Sequence, residues 1–409
     1  MYQPTNTRSP SILTQRVNHV ATFLEYLGNP EKKLKIIHVT GTSGKGSVVT
    51  LLHHIIHASG HDVGSIISPH TTTFLERFSL NEGLVSARSL IEGIEVVEDA
   101  YELYLQKHSP LSFFALSAAL GLYMFAQKSV PWVVLEVGIG GRFDSTNAIA
   151  HTEASIITNV DKDHTDIMGH TLEEIAFQKA GIIKPHGLAI VGEERPRLKK
   201  IFTDEAIAQE AALFFANKSL PEFESDHNLP HVNRNIRIAA LVAQELGFSS
   251  ECIARGIATY RALPCRFETI STNPTIILDG AHNPAKIQTT IDQMKQLDGK
   301  PIILFGTGSG KDASLMLRKL YPYASKIHTT RTQMDFKKAA SPATLIKMVP
   351  AGRRGKGFLN PHEALQEIQK TLKKSDILLV TGSLYLAGEL REHWYPEAKI
   401  IKQSTSFPI

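Results

Sequence analysis

The sequence is poor in the residues that would mark several protein classes. It has two cysteines, Cys252 and Cys265. That is too few for a disulfide framework, and it suits a reducing cytoplasmic compartment. Excess charge of one sign is also scarce: 44 Lys and Arg face 40 Asp and Glu, leaving +4 with histidine neutral. A dedicated nucleic-acid binder concentrates basic residues on one face, so no nucleic-acid partner is expected. A small anionic substrate needs only a local positive site. The longest apolar run, LSFFALSAALGLYMFA from Leu111 to Ala126, is shorter than the ~20 residues that span a bilayer. It predicts a buried helix and no membrane partner. The opening MYQPTNTRSP lacks the charged and apolar regions of a signal peptide. With 42% hydrophobic and 21% charged residues, collagen-like and disordered classes are excluded as well.

The length, 409 residues, suggests two or three domains at roughly 150 residues each. A core that large needs no metal or disulfide staple. Apolar strand-like runs alternate with helical patterns almost throughout, which predicts an α/β fold with a mostly parallel sheet. KIIHVTG (Lys35 to Gly41), VGSIIS (Val63 to Ser68), PWVVLEVG (Pro131 to Gly138), EASIITNV (Glu153 to Val160) and GLAIVG (Gly187 to Gly192) form one series. The stretch from about Pro196 to Pro264 reads as mostly helical. A second series, TIILDG, PIILFG, KIHTT and DILLVTG, follows without a phosphate loop of its own. We place the boundary near Phe267 to Asn273. That gives a phosphate-loop domain over residues 1–268 and a smaller Rossmann-like α/β domain over residues 269–409.

Between a strand and a helix lies GTSGKGS: Gly41, Thr42, Ser43, Gly44, Lys45, Gly46 and Ser47. Glycines let backbone N–H groups approach a phosphate, and the helix N-terminus adds positive potential. Lys45 is placed to reach the β- and γ-phosphates and Ser47 to bind Mg²⁺. Gly46 separates the lysine from the serine, unlike the usual spacing. The competing reading is a glycine turn with no ligand.

Glu136 ends the apolar strand Trp132-Val133-Val134-Leu135. A buried carboxylate is costly unless paired or metal-bound, and ligands gather at the carboxyl ends of parallel strands. Glu136 is therefore a candidate Mg²⁺ ligand, with a structural ion pair as the alternative. The glycine-rich VGIGGRFDSTN loop then brings Asp144 and Asn147 toward the same edge. In TLEEIAFQKAGIIKP, Thr171 and Glu174 form a capping box. Lys179 falls on the apolar stripe of Leu172, Ile175 and Ala176. Either it snorkels along the core edge, or it lies buried near metal and phosphates in a form that is no longer cationic. Asp163-His164 follows another strand, and His164 is a candidate metal ligand or an ordinary loop histidine. Asp279 and His282 in DGAHNP and Ser383 in TGSLY also sit at strand ends, where polar residues are often caps. Asn235 and Arg266 precede the boundary.

Together these segments resemble the folylpolyglutamate synthase/dihydrofolate synthase family of the Mur ligase superfamily. The matching stretches are HVTGTSGKGSV, SPHTTTFLERF, LEVGIGGRFDSTNAI, DHTDIMGHTLEEIAFQKAGIIKP, NRNIRIAAL, LPCRFE, DGAHNP and TGSLYLAGELR. They occur in family order from about Ile37 to Arg391.

The resemblance implies an ATP-dependent amide ligase that adds L-glutamate to a folate-type acid through an acyl phosphate. It implies that Gly41 to Ser47 cradle ATP. Ser68 and Glu136 match one Mg²⁺ site, and Glu136 with His164 a second. Lys179 matches a lysine that is carbamylated in such enzymes. Asn235, Arg266 and Asp279 match ATP-contacting positions, and His282 and Ser383 match glutamate-side or catalytic ones. A monomer is expected.

Three positions depart from the family pattern. Ala115 stands where an acid is usual after Phe114, Ser43 replaces asparagine, and Cys265 replaces glycine before Arg266. Two other readings are a Mur-type ligase for a different acid, such as a UDP-muramyl peptide, and a nucleotide-binding protein without ligase activity. The first needs an N-terminal nucleotide-sugar domain, and only about 35 residues precede the first strand. Retention of Lys45, Glu136, His164 and Lys179 disfavours the second.

Overall fold

A computed structural model describes residues 10–216, 220–223, 229–334 and 338–409. Nearly all of the opening MYQPTNTRSP, read above for a signal peptide, lies outside the described residues. The chain divides into two compact units. The first takes residues 1–70 and 75–261, and the second takes residues 71–74 and 262–409. The second unit thus begins at Ala262, ahead of the boundary expected near Phe267 to Asn273, and it also claims the short segment Thr71–Phe74.

Among the described residues the first unit forms β1 (Lys35–Thr40), β2 (Val63–Ile66), β3 (Phe78–Leu80), β4 (Gly83–Leu84), β5 (Trp132–Glu136), β6 (Ala154–Ile157), β7 (Leu188–Val191) and β8 (Ala212–Phe215). Their order is β4-β3-β2-β5-β1-β6-β7-β8. Pairing is parallel from β2 across to β8, with β3 and β4 antiparallel at one edge. β1 and β5 are central, and β5 is buried along its whole length. Strands covered on both faces read as continuous apolar runs rather than alternating ones, which is the pattern of KIIHVT and WVVLE. The register pairs Val39 with Glu136, so the phosphate-loop strand and the acid-bearing strand end side by side.

The helix Lys45–Ala58 buries Val48, Val49, Leu51, Leu52, Ile55 and Ile56, and it stops where Gly60 takes a left-handed φ of +86°. The apolar run becomes the buried helix Phe113–Gln127. Among the described residues no helix is long and apolar enough to cross a membrane. One element departs from expectation: β8 lies within the stretch read as mostly helical.

The second unit forms β9 (Glu268–Thr272), β10 (Thr275–Leu278), β11 (Ile302–Phe305), β12 (Lys326–Thr329), β13 (Arg354–Gly357) and β14 (Ile377–Thr381), in the order β13-β12-β11-β14-β10-β9. All pairs are parallel except β9 with β10. Successive strand residues face opposite sides. Ile277 therefore joins a core with Phe305, Met316 and Leu317, and Ile276 and Leu278 join another with Leu304, Val380 and Leu386.

Candidate active site

The loop from Gly41 to Ser47, the candidate phosphate loop, is held by the segment after β6. Gly41 has φ +153°, and a β-carbon there would collide with Thr158 Oγ1. Thr158 Oγ1 donates to Ser43 O at 2.6 Å, and Ser43 N–H donates to Asn159 Oδ1 at 2.9 Å. Thr42 N–H donates to Asn159 O at 3.1 Å. The Thr42 hydroxyl donates to Asp161 O at 3.1 Å and accepts from Asp161 N–H at 2.9 Å. Gly44, at φ +80°, is the N-cap of the helix beginning at Lys45, and no side chain caps that end. The first N–H groups of a 14-residue helix are thereby left for an anion. Gly46 and Ser47 occupy its first turn, half-buried.

Lys45 Nζ donates to Gly41 O at 3.2 Å and lies 3.9 Å from Glu136 Oε1. Glu136 is buried, and its Oε2 accepts Ser68 N–H at 2.8 Å. Lysine, carboxylate and the Ser68 backbone thus converge beside the loop. Asn235, on the helix Pro230–Glu245, faces Gly44. A β-carbon at Gly44 would stand 2.5 Å from Asn235 Oδ1, and that buried oxygen has no hydrogen-bond partner. A buried acceptor left unbonded is costly, so this one marks a place where a donor belongs.

Among the described residues no three His, Cys, Asp or Glu side chains cluster as a metal cage. Mg²⁺ is usually held by one or two carboxylates together with substrate phosphates. Glu136, with the Ser68 N–H on its Oε2, supplies such a carboxylate, and Ser47 lies in the first turn of the helix that Lys45 begins. His164 starts the short helix Thr165–Met168 at φ +47°. Its side chain is half-exposed, with Nε2 3.9 Å from Asp163 Oδ1. Its loop is continuous with Asp161, which is bonded to Thr42.

Lys179 is 1% exposed on the helix Leu172–Ala180, so it does not snorkel to the surface. The expected capping box of Thr171 and Glu174 is present at the start of that helix. Its last turn carries the glycine loop that follows Glu136. Arg142 N–H donates to Gln178 O at 2.6 Å, and Asn147 Nδ2 donates to Gly181 O at 3.0 Å. A β-carbon at Gly141 would be 2.7 Å from Gln178 O and 3.1 Å from Lys179 O, so only glycine permits this approach. Asp144 and Asn147 act within the loop. Asp144 accepts from Ile139 N–H, Thr146 N–H and Thr146 Oγ1, while burial raises its pKa. Lys184, whose pKa burial lowers to about 8, donates to Asn147 Oδ1 at 2.8 Å.

In the second unit, Asp279 follows β10 and is buried. Its Oδ1 accepts from Thr290 Oγ1 at 2.7 Å and Thr381 Oγ1 at 3.2 Å, and its Oδ2 accepts Phe267 N–H at 3.1 Å. Burial raises its pKa; these bonds and the charge of Arg266 oppose that rise. Its structural part is to order the turn carrying Arg266. His282 Nδ1 lies 2.9 Å from Gly280 O and Nε2 lies 3.1 Å from Lys286 Nζ. Lysine can only donate, so Nε2 accepts and Nδ1 carries the proton. Ser383 Oγ accepts Leu386 N–H at 3.4 Å and caps the helix Leu384–Arg391. Cys265 takes φ +56°, a left-handed conformation that favours glycine. Ala115 is buried in the first turn of its helix, where its N–H donates to Ser112 Oγ at 3.2 Å.

No local pattern singles out Thr158, Asn159 and Asp161 as the floor of the Gly41–Ser47 loop. A polar TNVD run at the end of an apolar strand was the one available signal.

The Mur ligase middle domain family matches residues 104–255, and the Mur ligase glutamate ligase domain family matches residues 265–384. Folylpolyglutamate synthase of Lacticaseibacillus casei is 31% identical over 405 residues, covering 91% of this chain and 93% of that one. The crystal structure of folylpolyglutamate synthase from Thermotoga maritima superimposes with a TM-score of 0.81 at 30% identity, covering 93% of each chain. That of the bifunctional folylpolyglutamate synthase/dihydrofolate synthase from Yersinia pestis, complexed with AMPPNP and Mn ion, gives 0.80 at 27% identity, again covering 93% of each. With its glycine-rich loop, strand-end glutamate and buried lysine carried on the same architecture, this chain belongs to the folylpolyglutamate synthase/dihydrofolate synthase family of Mur ligases.

Proposed function

We propose that the protein is an ATP-dependent amide ligase that joins L-glutamate to a folate-type acid, tetrahydrofolate, dihydropteroate or both. The acid's carboxylate attacks the γ-phosphorus of ATP and forms an acyl phosphate as ADP departs. The amino group of glutamate then attacks the acyl carbon, the C–O bond breaks, and phosphate leaves. The observation that carries this reading is the convergence of Lys45, Glu136 and the uncapped helix start on one loop.

No side-chain nucleophile is needed, because the work is positioning and charge neutralisation. The amides from Gly41 to Ser47 hold phosphates, and Lys45 follows the charge that develops on the transferring group. Asn235 Oδ1 takes a donor from the nucleotide. Glu136, Ser47, Ser68 and His164 are the residues that would hold Mg²⁺, which screens phosphate charge when bound. Lys179 serves as a carbamate, an anionic group on the metal side of the site in place of an ammonium. In the second unit, Arg266 and Asp279 serve ATP, with Asp279 acting through the turn it orders. His282 and Ser383 serve glutamate. The protein acts as a cytoplasmic monomer without nucleic-acid or membrane partners.

The test offers labelled glutamate and ATP with dihydropteroate and tetrahydrofolate separately. Product with at least one acid is expected. Product with neither, but ADP release with another acid, would keep the ligase and remove the folate substrate.

A further inference from the structure

The turn that carries Arg266 is built from two residues in an unfavourable backbone conformation. Cys265 has φ +56° and Phe267 has φ +52°, so Arg266 sits between two left-handed residues that are not glycine. Such a turn persists only when its surroundings over-determine it. Two anchors are visible. Phe267 N–H donates to Asp279 Oδ2 at 3.1 Å, and Gly280 N–H donates to Cys265 O at 2.7 Å. These fasten the turn to the end of β10.

The third anchor comes from a distant part of the chain. Cys265 N–H donates to Glu268 Oε2 at 2.9 Å. Glu268 in turn is gripped by Arg391, whose Nε lies 2.8 Å from Oε2 and 3.1 Å from Oε1, and whose Nη2 lies 3.0 Å from Oε1. Arg391 is fully buried. Its guanidinium stacks over Tyr395 and Phe407, at 4.4 and 5.2 Å from the ring centroids, and Nη2 also donates to Ser406 O at 2.6 Å. A fork this heavily bonded holds the Glu268 carboxylate in one orientation, and that orientation presents Oε2 to the amide of Cys265.

We infer that Glu268 and Arg391 are positioning residues for the nucleotide: through the Cys265 amide they hold the strained turn that aims Arg266. The inference rests on the proposed role of Arg266 toward ATP. It assigns the far C-terminal segment, through Ser406 and Phe407, a part in setting nucleotide affinity. It also accounts for the tolerance of cysteine where glycine is usual. The Glu268 bond does for Cys265 what the absence of a side chain does for glycine.

The experiment measures MgATP binding by calorimetry, with neither acid nor glutamate present, alongside thermal unfolding. Glu268→Gln and Arg391→Lys are each expected to weaken MgATP by about tenfold or more, with Arg266→Ala at least as damaging. If the pair works through Arg266, Arg266→Ala with Glu268→Gln binds no more weakly than Arg266→Ala alone. Adding Cys265→Gly to Glu268→Gln should restore most of the affinity, because glycine holds the left-handed turn without the anchor. Wild-type affinity in soluble Glu268→Gln would overturn the inference. Multiplicative losses in the double variant, or no rescue by Cys265→Gly, would also overturn it. Should Glu268→Gln fail to fold, Arg391→Lys with and without Cys265→Gly gives the same decision. Because binding is read without catalysis, a failure of glutamate ligation would leave this result standing.

Discussion

Gly44 and Asn235 are in such close approach that a β-carbon on the glycine would stand 2.5 Å from the asparagine's Oδ1. The contact ties the start of the phosphate-loop helix to the helix Pro230–Glu245, and it leaves an unbonded acceptor beside the loop. Gly44→Ala should therefore harm both fold and ligand. A left-handed φ costs a non-glycine residue roughly 1–2 kcal/mol, and Asn235 must also move. Lower thermal stability together with MgATP binding weakened about tenfold is expected; unchanged calorimetric affinity would remove this contact from the site.

Lys45 is half-buried, with its ammonium near Glu136 and Gly41 O. At 3.9 Å the ammonium is beyond hydrogen-bond distance of the Glu136 carboxylate, so this pair contributes little to stability, whereas a charge aimed at the transferring phosphoryl group, as proposed for Lys45, is worth about 10²–10³ in kcat. Lys45→Ala should keep its melting temperature within a few degrees and lose about that much turnover. A variant that loses stability but keeps kcat would assign the lysine to the fold instead.

Lys179 offers the converse case, being buried at 1% exposure. Lys179→Ala should abolish ligation, and a small carboxylic acid such as acetate should partly restore it by occupying the space of the proposed carbamate. Steady-state rates with and without acetate check this. Full activity in the untreated variant would exclude Lys179 from the reaction, and loss of folding would mark it as structural.

Lys184 gives a pH prediction. Burial lowers its pKa from 10.5 to about 8 in the folded chain. Between about pH 8 and 10.5 the unfolded chain therefore binds more protons at this site, and stability rises with pH there. The penalty for burying the charged form is complete below about pH 8 and is relieved toward pH 10.5. Denaturant unfolding of the wild type minus Lys184→Met should show this rising component, and parallel curves from pH 7 to 10 would contradict it.

The legible parts of the molecule were those whose signals are local. Strand, glycine loop and helix follow one another from Lys35 to Ala58, and the capping box of Thr171 and Glu174 lies within four residues of chain. The stripe placing Lys179 inward was likewise readable from spacing. β8 was missed because ALFF is short and lies at a sheet edge, alternating between exposed and half-buried. Thr71–Phe74 joins the second unit through contacts that no local pattern announces. The same holds for Asn159 under the phosphate loop and for Glu268 with Arg391, which are 123 residues apart in sequence. Side chains brought together only by the sheet order leave no periodic trace.

In the proposed reaction the acid is activated as an acyl phosphate before glutamate attacks. That activation is tested most directly by labelling the carboxylate of the acid substrate with ¹⁸O and analysing the released phosphate after one turnover. One labelled oxygen is expected to pass from the acid into inorganic phosphate, in step with amide and ADP. Amide formation with unlabelled phosphate would contradict it.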